Sequence, residues 1–484
     1  MSFSMTSRVR RGIALSAVVL ATGGLVLYRA PAAAYPGDSG LARGPSVLAN
    51  GKNSAAFAGP GVHGMISLSH TRVLSGEETT VFADIRVVAD GALTETRTLT
   101  IARAPISLAV VLDTSGSMSG EKIQEARRSV LRLLADMRDD DEITVIRYSD
   151  TSEMVQPLAR VGAVRSALSA RIAQLDASGG TNIPSGLSHG LRALDEATRG
   201  RVRRIVLVSD GLDSTRAQAE NLARSSFSSG ITVSSLGIGL DFDEGYMGSL
   251  AQNGHGNFAF VKDGASLATF LHRELEETAG TTVENARVRL QLPEGMRLVS
   301  ATGADAVVNG NEVELAVGSL FGGDERRIVV ELAASSYRSA GTTLDIDATA
   351  SWNQVGGASF TTRAPRLSLV AAADASEVDR GKDHGVLASA TSVVASRRQI
   401  EAANAYANGD VARAAQLAEK NEQALAAAMV AAPAPAATSL DTQMKAYRSM
   451  RKGFATVSPR SAEGRAAAKE AAVKDMGNMN RSTF

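Results

Sequence analysis

Residues 109–123 read AVVLDTSGSMSGEKI, and this stretch decides how the rest of the chain is interpreted. An apolar run ends at Asp113, hydroxyl side chains follow at Ser115 and Ser117, and a helical pattern begins near Glu121. A buried strand that leads through a polar loop into a helix is the repeating unit of a parallel sheet covered by helices. The stretch therefore predicts an α/β fold with Asp113 at the carboxyl end of a strand, where such folds bind ligands.

The chain beyond this stretch repeats the same alternation. Apolar segments such as EITVIRYS (142–149) and RRIVLVSD (203–210) alternate with amphipathic ones such as EKIQEARRSVLRLLADM (121–137). Apolar residues in the last of these recur at the spacing of one helical face. Strands and helices of these lengths predict, for residues 104–281, a mainly parallel sheet with helices on both faces.

Segments that alternate apolar and polar residues at period two flank this region on both sides. TTVFADIRVV (79–88) lies upstream, and RRIVVEL (326–332) and LDIDATASW (344–352) lie downstream. Alternation of this kind predicts antiparallel strands with one buried face. We therefore expect one β-sandwich made of residues 61–103 and 282–372, with the α/β domain flanked by its two parts or inserted between them.

The first residues have the pattern of an export signal. Three arginines, at positions 8, 10 and 11, precede an apolar run over residues 12–28, and three alanines follow at 32–34. This pattern predicts a signal over residues 1–34 that is either cleaved after Ala34 or kept as an inner-membrane anchor. In both cases the body of the protein lies in the periplasm or cell envelope, because the basic residues stay inside. Residues 35–60, which lack periodicity, predict a flexible linker.

The C-terminal part of the sequence is predicted to be helical. Residues 373–431 predict two helices joined at Asn408-Gly409-Asp410, a hairpin that resembles a single tetratricopeptide-like unit. Because one such hairpin cannot form a solenoid, we expect it to pack on the β-sandwich or on a partner. Residues 432–484 predict a linker, one short helix and a disordered tail.

Composition excludes several classes of function. The 484 residues contain 51 basic and 51 acidic side chains, so no basic surface predicts nucleic-acid binding. The sequence has no Cys, which excludes disulfides, thiolate-bound metals and thiol catalysis. After residue 28, no apolar run is long enough to span a bilayer, so the sequence does not predict a pore.

Oxygen-bearing side chains lie at three of the predicted junctions between strands and helices. Asp113, Ser115 and Ser117 follow the first strand, Thr181 lies in the loop SGGTNIP, and Asp210 ends the strand RRIVLVSD. Because the carboxyl ends of parallel strands share one edge of the sheet, these side chains are expected to meet. Carboxylate and hydroxyl oxygens without imidazole or thiolate favour a hard cation, and Mg²⁺ takes about six oxygen ligands.

In this order, the motifs DTSGSMSG, GGTN and VSDG resemble the metal-ion-dependent adhesion site of a von Willebrand factor type A domain. The resemblance implies a Rossmann-like domain in which the Ser115 and Ser117 hydroxyls bind Mg²⁺, with Mn²⁺ or Ca²⁺ as substitutes. It also implies that Thr181 binds the metal directly or through water, and that Asp113 and Asp210 hold the metal or its waters. The last coordination position then takes an Asp or Glu carboxylate from a partner protein.

The whole chain resembles exported bacterial proteins grouped as the Ca-activated chloride channel family, although the sequence has no feature of a channel. We therefore expect an exported, non-enzymatic protein that binds a partner protein through a site completed by Mg²⁺. Two alternatives remain open. In the first, the protein is an envelope scaffold that binds through its β-sandwich and C-terminal helices, and the metal is structural. In the second, metal-bound water makes the protein a hydrolase, although no general base is apparent near the five residues.

Overall fold

The computed structural model describes residues 53–91, 104–210, 213, 215–239, 242–261, 264–335 and 339–480. The predicted export signal, most of the predicted linker and residues 92–103 lie outside these ranges. The described residues form a β-sandwich, an α/β domain and a bundle of C-terminal helices.

The β-sandwich consists of two sheets that share one core. Strands Ser54–Gly59 (β1), Val62–Leu68 (β2), Glu78–Ala89 (β4), Met296–Thr302 (β12) and Glu325–Ser335 (β15) form the first sheet, in the order β1-β2-β4-β15-β12. Strands Arg72–Leu74 (β3), Thr281–Gln291 (β11), Asp305–Asn309 (β13), Glu312–Phe321 (β14), Thr343–Gln354 (β16) and Leu367–Ala372 (β18) form the second, in the order β13-β14-β11-β16-β18-β3. Strand Ser359–Arg363 (β17) pairs with β16.

Both sheets combine strands from before and after the α/β domain. In the first sheet, β4 and β15 pair antiparallel with Ile85 opposite Ile328, and both side chains are buried. In the second sheet, β3 pairs with β18, so that Val73 lies opposite Ala371. The two parts of the sandwich must therefore fold together, and the predicted insertion of the α/β domain into one β-sandwich is confirmed.

The prediction of a flexible linker over residues 35–60 is wrong for its last part. Residues 54–59 form β1, the edge strand of the first sheet, with Ala56 opposite Met65 on β2. Ala55 and Phe57 are buried in the core of the sandwich. The small residues around them do not by themselves indicate a strand. The strand is therefore stabilised by its pairing with β2 rather than by strong local propensity.

The α/β domain is built on one six-stranded sheet. Its strands are Ile106–Asp113 (β5), Glu142–Tyr148 (β6), Ser152–Arg160 (β7), Val202–Ser209 (β8), Ile231–Ile238 (β9) and His255–Val261 (β10), in the order β10-β9-β8-β5-β6-β7. All neighbours are parallel except β6 and β7. The mainly parallel sheet is thus confirmed, with β5 at its centre and β7 added as an antiparallel edge strand.

Helices cover both faces of this sheet. Glu121–Asp136 (α1), Val161–Ala173 (α2) and Gly264–Ala279 (α6) pack on one face, and Ile183–Asp195 (α3), Arg216–Ser228 (α4) and Glu244–Asn253 (α5) pack on the other. Alternate residues of β5 contribute to the two cores, Val110 and Leu112 to the first and Ala109 and Val111 to the second. A strand that is buried on both faces has no polar side to alternate, which explains the continuous apolar run before Asp113.

The C-terminal region is helical to the end of the described chain. Its helices are Ala375–Arg380 (α7), His384–Ala407 (α8), Val411–Met429 (α9), Ala434–Thr456 (α10) and Ala462–Asn480 (α11). The predicted hairpin is confirmed as α8 and α9, joined by Gly409 at a φ of 87° and by the N-cap of Asp410. No helix within the described ranges is both long and apolar enough to cross a membrane.

The prediction of a linker, a short helix and a disordered tail over residues 432–484 is wrong, because α10 and α11 occupy most of that segment. Their alanine-rich faces let the helices approach closely, and larger side chains fill the remaining space. Tyr406 of α8 stacks on Phe454 of α10 with ring centroids 4.2 Å apart. Tyr447 of α10 donates a hydrogen bond to Asp475 of α11. Tertiary packing therefore orders a sequence that has little amphipathic pattern of its own.

The helical bundle packs on the outer face of the first sheet, which is one of the two placements predicted for the hairpin. Arg327 of β15 is fully buried there and donates to Ser389 of α8, which in turn donates to Asp84 of β4. The carboxylate of Asp84 also lies 3.4 Å from Nε of Arg327. Ser389 thus joins α8 to a buried ion pair of the sheet, and removing either charge would leave the other buried without its partner.

Candidate functional site

Asp113 is the last residue of β5 and is fully buried. One carboxylate oxygen, Oδ1, accepts a hydrogen bond from the backbone N–H of Ser115 at 2.8 Å. The other, Oδ2, accepts from the hydroxyl of Ser209 on the neighbouring strand β8 at 2.7 Å. The carboxylate thus holds the loop that follows its own strand and ties that loop to β8.

The two predicted serines and Asp210 join this carboxylate in one cluster. Oγ of Ser115 lies 3.0 Å from Oγ of Ser117, and the Ser117 hydroxyl donates to Oδ1 of Asp210 at 2.7 Å. Ser115 and Asp210 are buried, whereas Ser117 is exposed at the surface. The predicted meeting of β5 and β8 at one sheet edge therefore brings together four of the five side chains.

Thr181 lies in the loop before α3, which is held directly against the first loop. The N–H of Gly116 donates to the carbonyl of Gly179 at 2.9 Å, and the N–H of Ser178 donates to the carbonyl of Thr114 at 2.7 Å. A Cβ on Gly116 would lie 3.4 Å from the Gly179 oxygen, an ordinary van der Waals distance, so these hydrogen bonds rather than the missing side chain hold the two loops together. Thr181 itself is half-buried, and its loop lies against the loop that carries Ser115 and Ser117, but no hydrogen bond joins Thr181 to the cluster within the described residues.

Burial raises the pKa of the Asp113 carboxyl above its ordinary value. Hydrogen bonds from Ser115 and Ser209 act in the opposite direction, and the charge of nearby Asp210 adds to the increase. Two buried carboxylates at one sheet edge repel each other, so a cation placed between them and solvent is electrostatically favoured there.

Lys122, a residue that sequence reasoning did not select, supplies positive charge at this edge. It lies in the first turn of α1, and its ammonium forms an ion pair with Oδ2 of Asp210. The first turn of a helix carries the positive end of the helix dipole, where a lysine is unfavourable unless it has an anionic partner. A lysine at that position after DTSGSMSG is therefore a sequence feature from which an anionic partner can be predicted.

Asp213 is a second residue that the sequence did not single out. Its Oδ2 accepts from the N–H of Ile183 at the start of α3 at 2.7 Å, and its Oδ1 accepts from the N–H of Thr215 at 2.8 Å. Asp213 thereby ties the loop after β8 to the helix that follows Thr181. The three loops of the site are linked to one another by hydrogen bonds.

The donor set fits a hard cation. The described residues contain no group of three or more His, Asp or Glu side chains arranged to hold a metal, so any metal here would depend on hydroxyl oxygens as well as carboxylates. Ser115, Ser117 and Asp210 offer such oxygens within one hydrogen-bonded chain. The Lys122 ammonium pairs with Asp210 in the same cluster, so this carboxylate already has one cationic partner from the chain.

Comparisons with known proteins match the α/β domain. The family model described as "von Willebrand factor type A domain" matches residues 107–273. The chain is 28% identical over 196 residues to the uncharacterized protein YfbK of Escherichia coli, a match that covers 38% of this chain and 33% of that protein. It is 28% identical over 188 residues to human inter-alpha-trypsin inhibitor heavy chain H4, covering 36% of this chain and 20% of that protein. The chain thus spans about a third or less of the length of these relatives.

A solved structure shares the fold over most of the chain. The protein described as von Willebrand factor type A from Catenulispora acidiphila aligns with a TM-score of 0.62 and 18% sequence identity, covering 88% of this chain and 97% of that one. The alignment is longer than the α/β domain alone, so the similarity of fold extends into the parts of the chain that flank it.

Proposed function

Because residues 107–273 are a von Willebrand factor type A domain, we propose that the protein binds a partner protein at the edge formed by Asp113, Ser115, Ser117, Thr181 and Asp210, in a Mg²⁺-dependent manner. Domains of this family generally mediate interactions between proteins. The observation that carries the proposal is the chain of hydrogen bonds from Ser115 through Ser117 to Asp210, anchored by buried Asp113.

The residues of the site have separate roles in this proposal. The hydroxyls of Ser115 and Ser117, and that of Thr181 directly or through water, would hold the metal, while Asp113 and Asp210 hold the metal or its waters. When bound, Mg²⁺ supplies a strong positive field for an incoming Asp or Glu carboxylate of the partner. Neutral hydroxyl ligands compensate less of that field than additional carboxylate ligands would, so the partner's carboxylate gains more attraction than it would from a metal bound only by anions.

We also propose that the protein acts outside the cytoplasm and is not an enzyme. Export is supported by the arginines, apolar run and alanines of residues 1–34. The hydrolase alternative would need a general base at the site, and two of the histidines do not supply one. His189 of α3 bonds to Ser152, and His255, whose side chain is 7% exposed, lies at the amino end of β10, at the opposite end of the strands from the five residues.

The scaffold alternative is supported by a different observation. The helical bundle packs on the sandwich through Arg327 and Ser389, and α11 also reaches the α/β domain through a buried hydrogen bond from Lys469 to the carbonyl of Phe242. A molecule whose parts are joined in this way offers binding surfaces that do not involve the metal site. The two functions differ in whether partner binding requires divalent metal.

A pull-down from a cell-envelope extract tests the proposal with the full-length protein as bait. We expect a partner that is retained in Mg²⁺ and lost in EDTA, and that is also lost with Asp113→Ala, which removes the carboxylate anchoring the loop. Asp139→Ala is the matched control, because this exposed carboxylate pairs with Arg165 at the surface of the same domain. Partners retained equally in Mg²⁺, in EDTA and by Asp113→Ala would contradict the adhesion site and favour the scaffold.

A further inference from the structure

Lys122 contacts the candidate metal site, although it is not one of the five residues to which a role in metal binding was given above. Its ammonium pairs with Oδ2 of Asp210, and Oδ1 of the same carboxylate accepts from Ser117. Asp210 is fully buried, whereas the Lys122 side chain is 28% exposed. The ammonium therefore holds the oxygen of Asp210 opposite to the one that Ser117 contacts, and a metal held by Ser117 and Asp210 would share this carboxylate with it.

The fold keeps space for the stem of Lys122. Gly239, just after β9, has a φ of 79°, and a Cβ on it would lie 3.2 Å from Cε of Lys122. A larger residue there would require the end of the Lys122 side chain to shift by a few tenths of an ångström, so the end of β9 borders this side chain. Gly120, with a φ of 80°, is the N-cap residue of α1, two positions before Lys122.

We propose that Lys122 is a tethered counter-cation that competes with the divalent metal for Asp210 and so makes strong metal binding depend on the partner's carboxylate. The inference rests on the function proposed above. Without metal, the ammonium neutralises one of two buried carboxylates and stabilises the empty site. When the metal is bound, the ammonium and the dication repel each other because they share one carboxylate. The metal therefore binds weakly in the absence of the partner.

Charge balance explains the dependence on the partner. Two carboxylates and one ammonium leave one net negative charge, so a dication turns the cluster net positive. One carboxylate from the partner restores neutrality. Metal and partner therefore favour each other's binding, and by linkage the metal raises partner affinity by the same factor as the partner raises metal affinity. Without the lysine, the charges of the dication and the two carboxylates already sum to zero.

Calorimetric titration of the full-length protein with Mg²⁺ alone tests the inference. Lys122→Met keeps an unbranched stem and removes the charge, and we expect it to bind Mg²⁺ about tenfold more tightly or better than the wild type. Arg128→Met is the matched control, because this exposed cation of α1 pairs with Glu125 and its loss should leave Mg²⁺ affinity unchanged. Adding Asp113→Ala to Lys122→Met should abolish the binding, which assigns it to this site.

Melting temperatures give a second, independent readout. In EDTA, Lys122→Met should melt below the wild type because Asp210 is left buried without a cation, and Mg²⁺ should raise the variant's melting temperature more than that of the wild type. If Lys122→Met does not fold, Lys122→Gln, which can still donate to Asp210, takes its place.

The outcomes separate the inference from the proposed function. Equal or weaker Mg²⁺ affinity in Lys122→Met, with binding that Asp113→Ala abolishes, overturns the role of Lys122 and leaves the metal site standing. Mg²⁺ binding by neither protein overturns both. Tighter binding in Lys122→Met, even where the wild type binds too weakly to measure, supports the inference.

Discussion

Gly186 and Gly190 lie on the face of α3 that contacts the centre of the sheet, and they set how closely the helix approaches. A Cβ on Gly186 would lie 2.7 Å from Cδ1 of Tyr148 and 2.9 Å from Cγ1 of Val111. A Cβ on Gly190 would lie 2.8 Å from Cγ2 of Val111. Because α3 begins next to Thr181, the depth at which this helix packs also fixes where the third loop of the site stands.

At the residue scale, we predict that Gly186→Ala destabilises the protein by about 1–3 kcal/mol, since the added methyl overpacks the contact with Val111 and Tyr148. Gly453→Ala is the matched control, because this glycine of α10 has no heavy atom within 4 Å of the added Cβ. There the substitution should stabilise by about 0.4–1 kcal/mol through the helix preference of alanine. Urea unfolding followed by circular dichroism measures both; a stabilising Gly186→Ala would contradict the close packing of α3.

At the scale of elements, α10 and α11 are joined by a buried polar network. Tyr447 of α10 donates to Asp475 of α11, and Ser396 of α8 lies 3.1 Å from the same phenol oxygen. Gln443 donates to that oxygen at 2.8 Å. These partners specify which faces of three alanine-rich helices meet, which the uniform small side chains do not do by themselves. The same partners lie too far apart in sequence for a local pattern to reveal them, which is why the tail was predicted to be disordered.

Asp475 makes the stability of this network depend on pH. Burial raises the pKa of its carboxyl to about 6 from the ordinary 3.8. An acid whose pKa is higher in the folded state destabilises the fold when it ionises. This loss is small near pH 4, grows between the two pKa values and is complete above about pH 6. Over that range it amounts to about 3 kcal/mol.

We therefore predict that Asp475→Asn, which still accepts from Tyr447 but cannot ionise, gains stability relative to the wild type as pH rises from 4 to 7.5. Melting temperatures measured across this range test it, and the difference should level off above about pH 6. Asp441→Asn is the control, because this carboxylate of α10 pairs with Lys445 at the surface. A stability difference for Asp475→Asn that does not change with pH would contradict the burial of an ionising carboxylate.

At the scale of the whole molecule, α11 contacts both other parts of the protein. Nζ of Lys469 is buried and donates to the carbonyl of Phe242 at 2.6 Å, and it lies 4.1 Å from the centre of the Phe242 ring. Met476 fills the space left by Gly248 of α5, and Met479 packs with Val329 of the first sheet. The last helix thus fastens the α/β domain to the sandwich into which it is inserted.

We predict that Lys469→Ala weakens this attachment by about 1.5–3 kcal/mol, the range for a hydrogen bond to a charged group. Hydrogen exchange should speed up in Glu244–Asn253, the helix that follows Phe242, while the exchange of β5 stays slow. Lys474→Ala, on an exposed position of the same helix, should change neither quantity. Unchanged exchange in Lys469→Ala would show that the α/β domain does not depend on α11.

The sequence by itself determined the strands and helices whose buried residues recur at a regular spacing within a short segment. The apolar run before Asp113 predicted a strand buried on both faces, period-two segments predicted the sandwich, and the order of DTSGSMSG, GGTN and VSDG predicted which loops meet. Each of these follows from a rule that acts over a few residues, because a strand or helix must bury one or both of its faces.

Only the tertiary structure decided features whose partners are distant in sequence. The pairing of Lys122 with Asp210 joins residues 88 apart, and the strand character of residues 54–59 depends on β2. The alanine-rich residues of α11 become ordered because Tyr447 and Phe242 lie where that helix docks. In residues 54–59 and in α11 the local sequence is nearly neutral between order and disorder, so the free energy that settles the conformation comes from surfaces and charges brought together by folding.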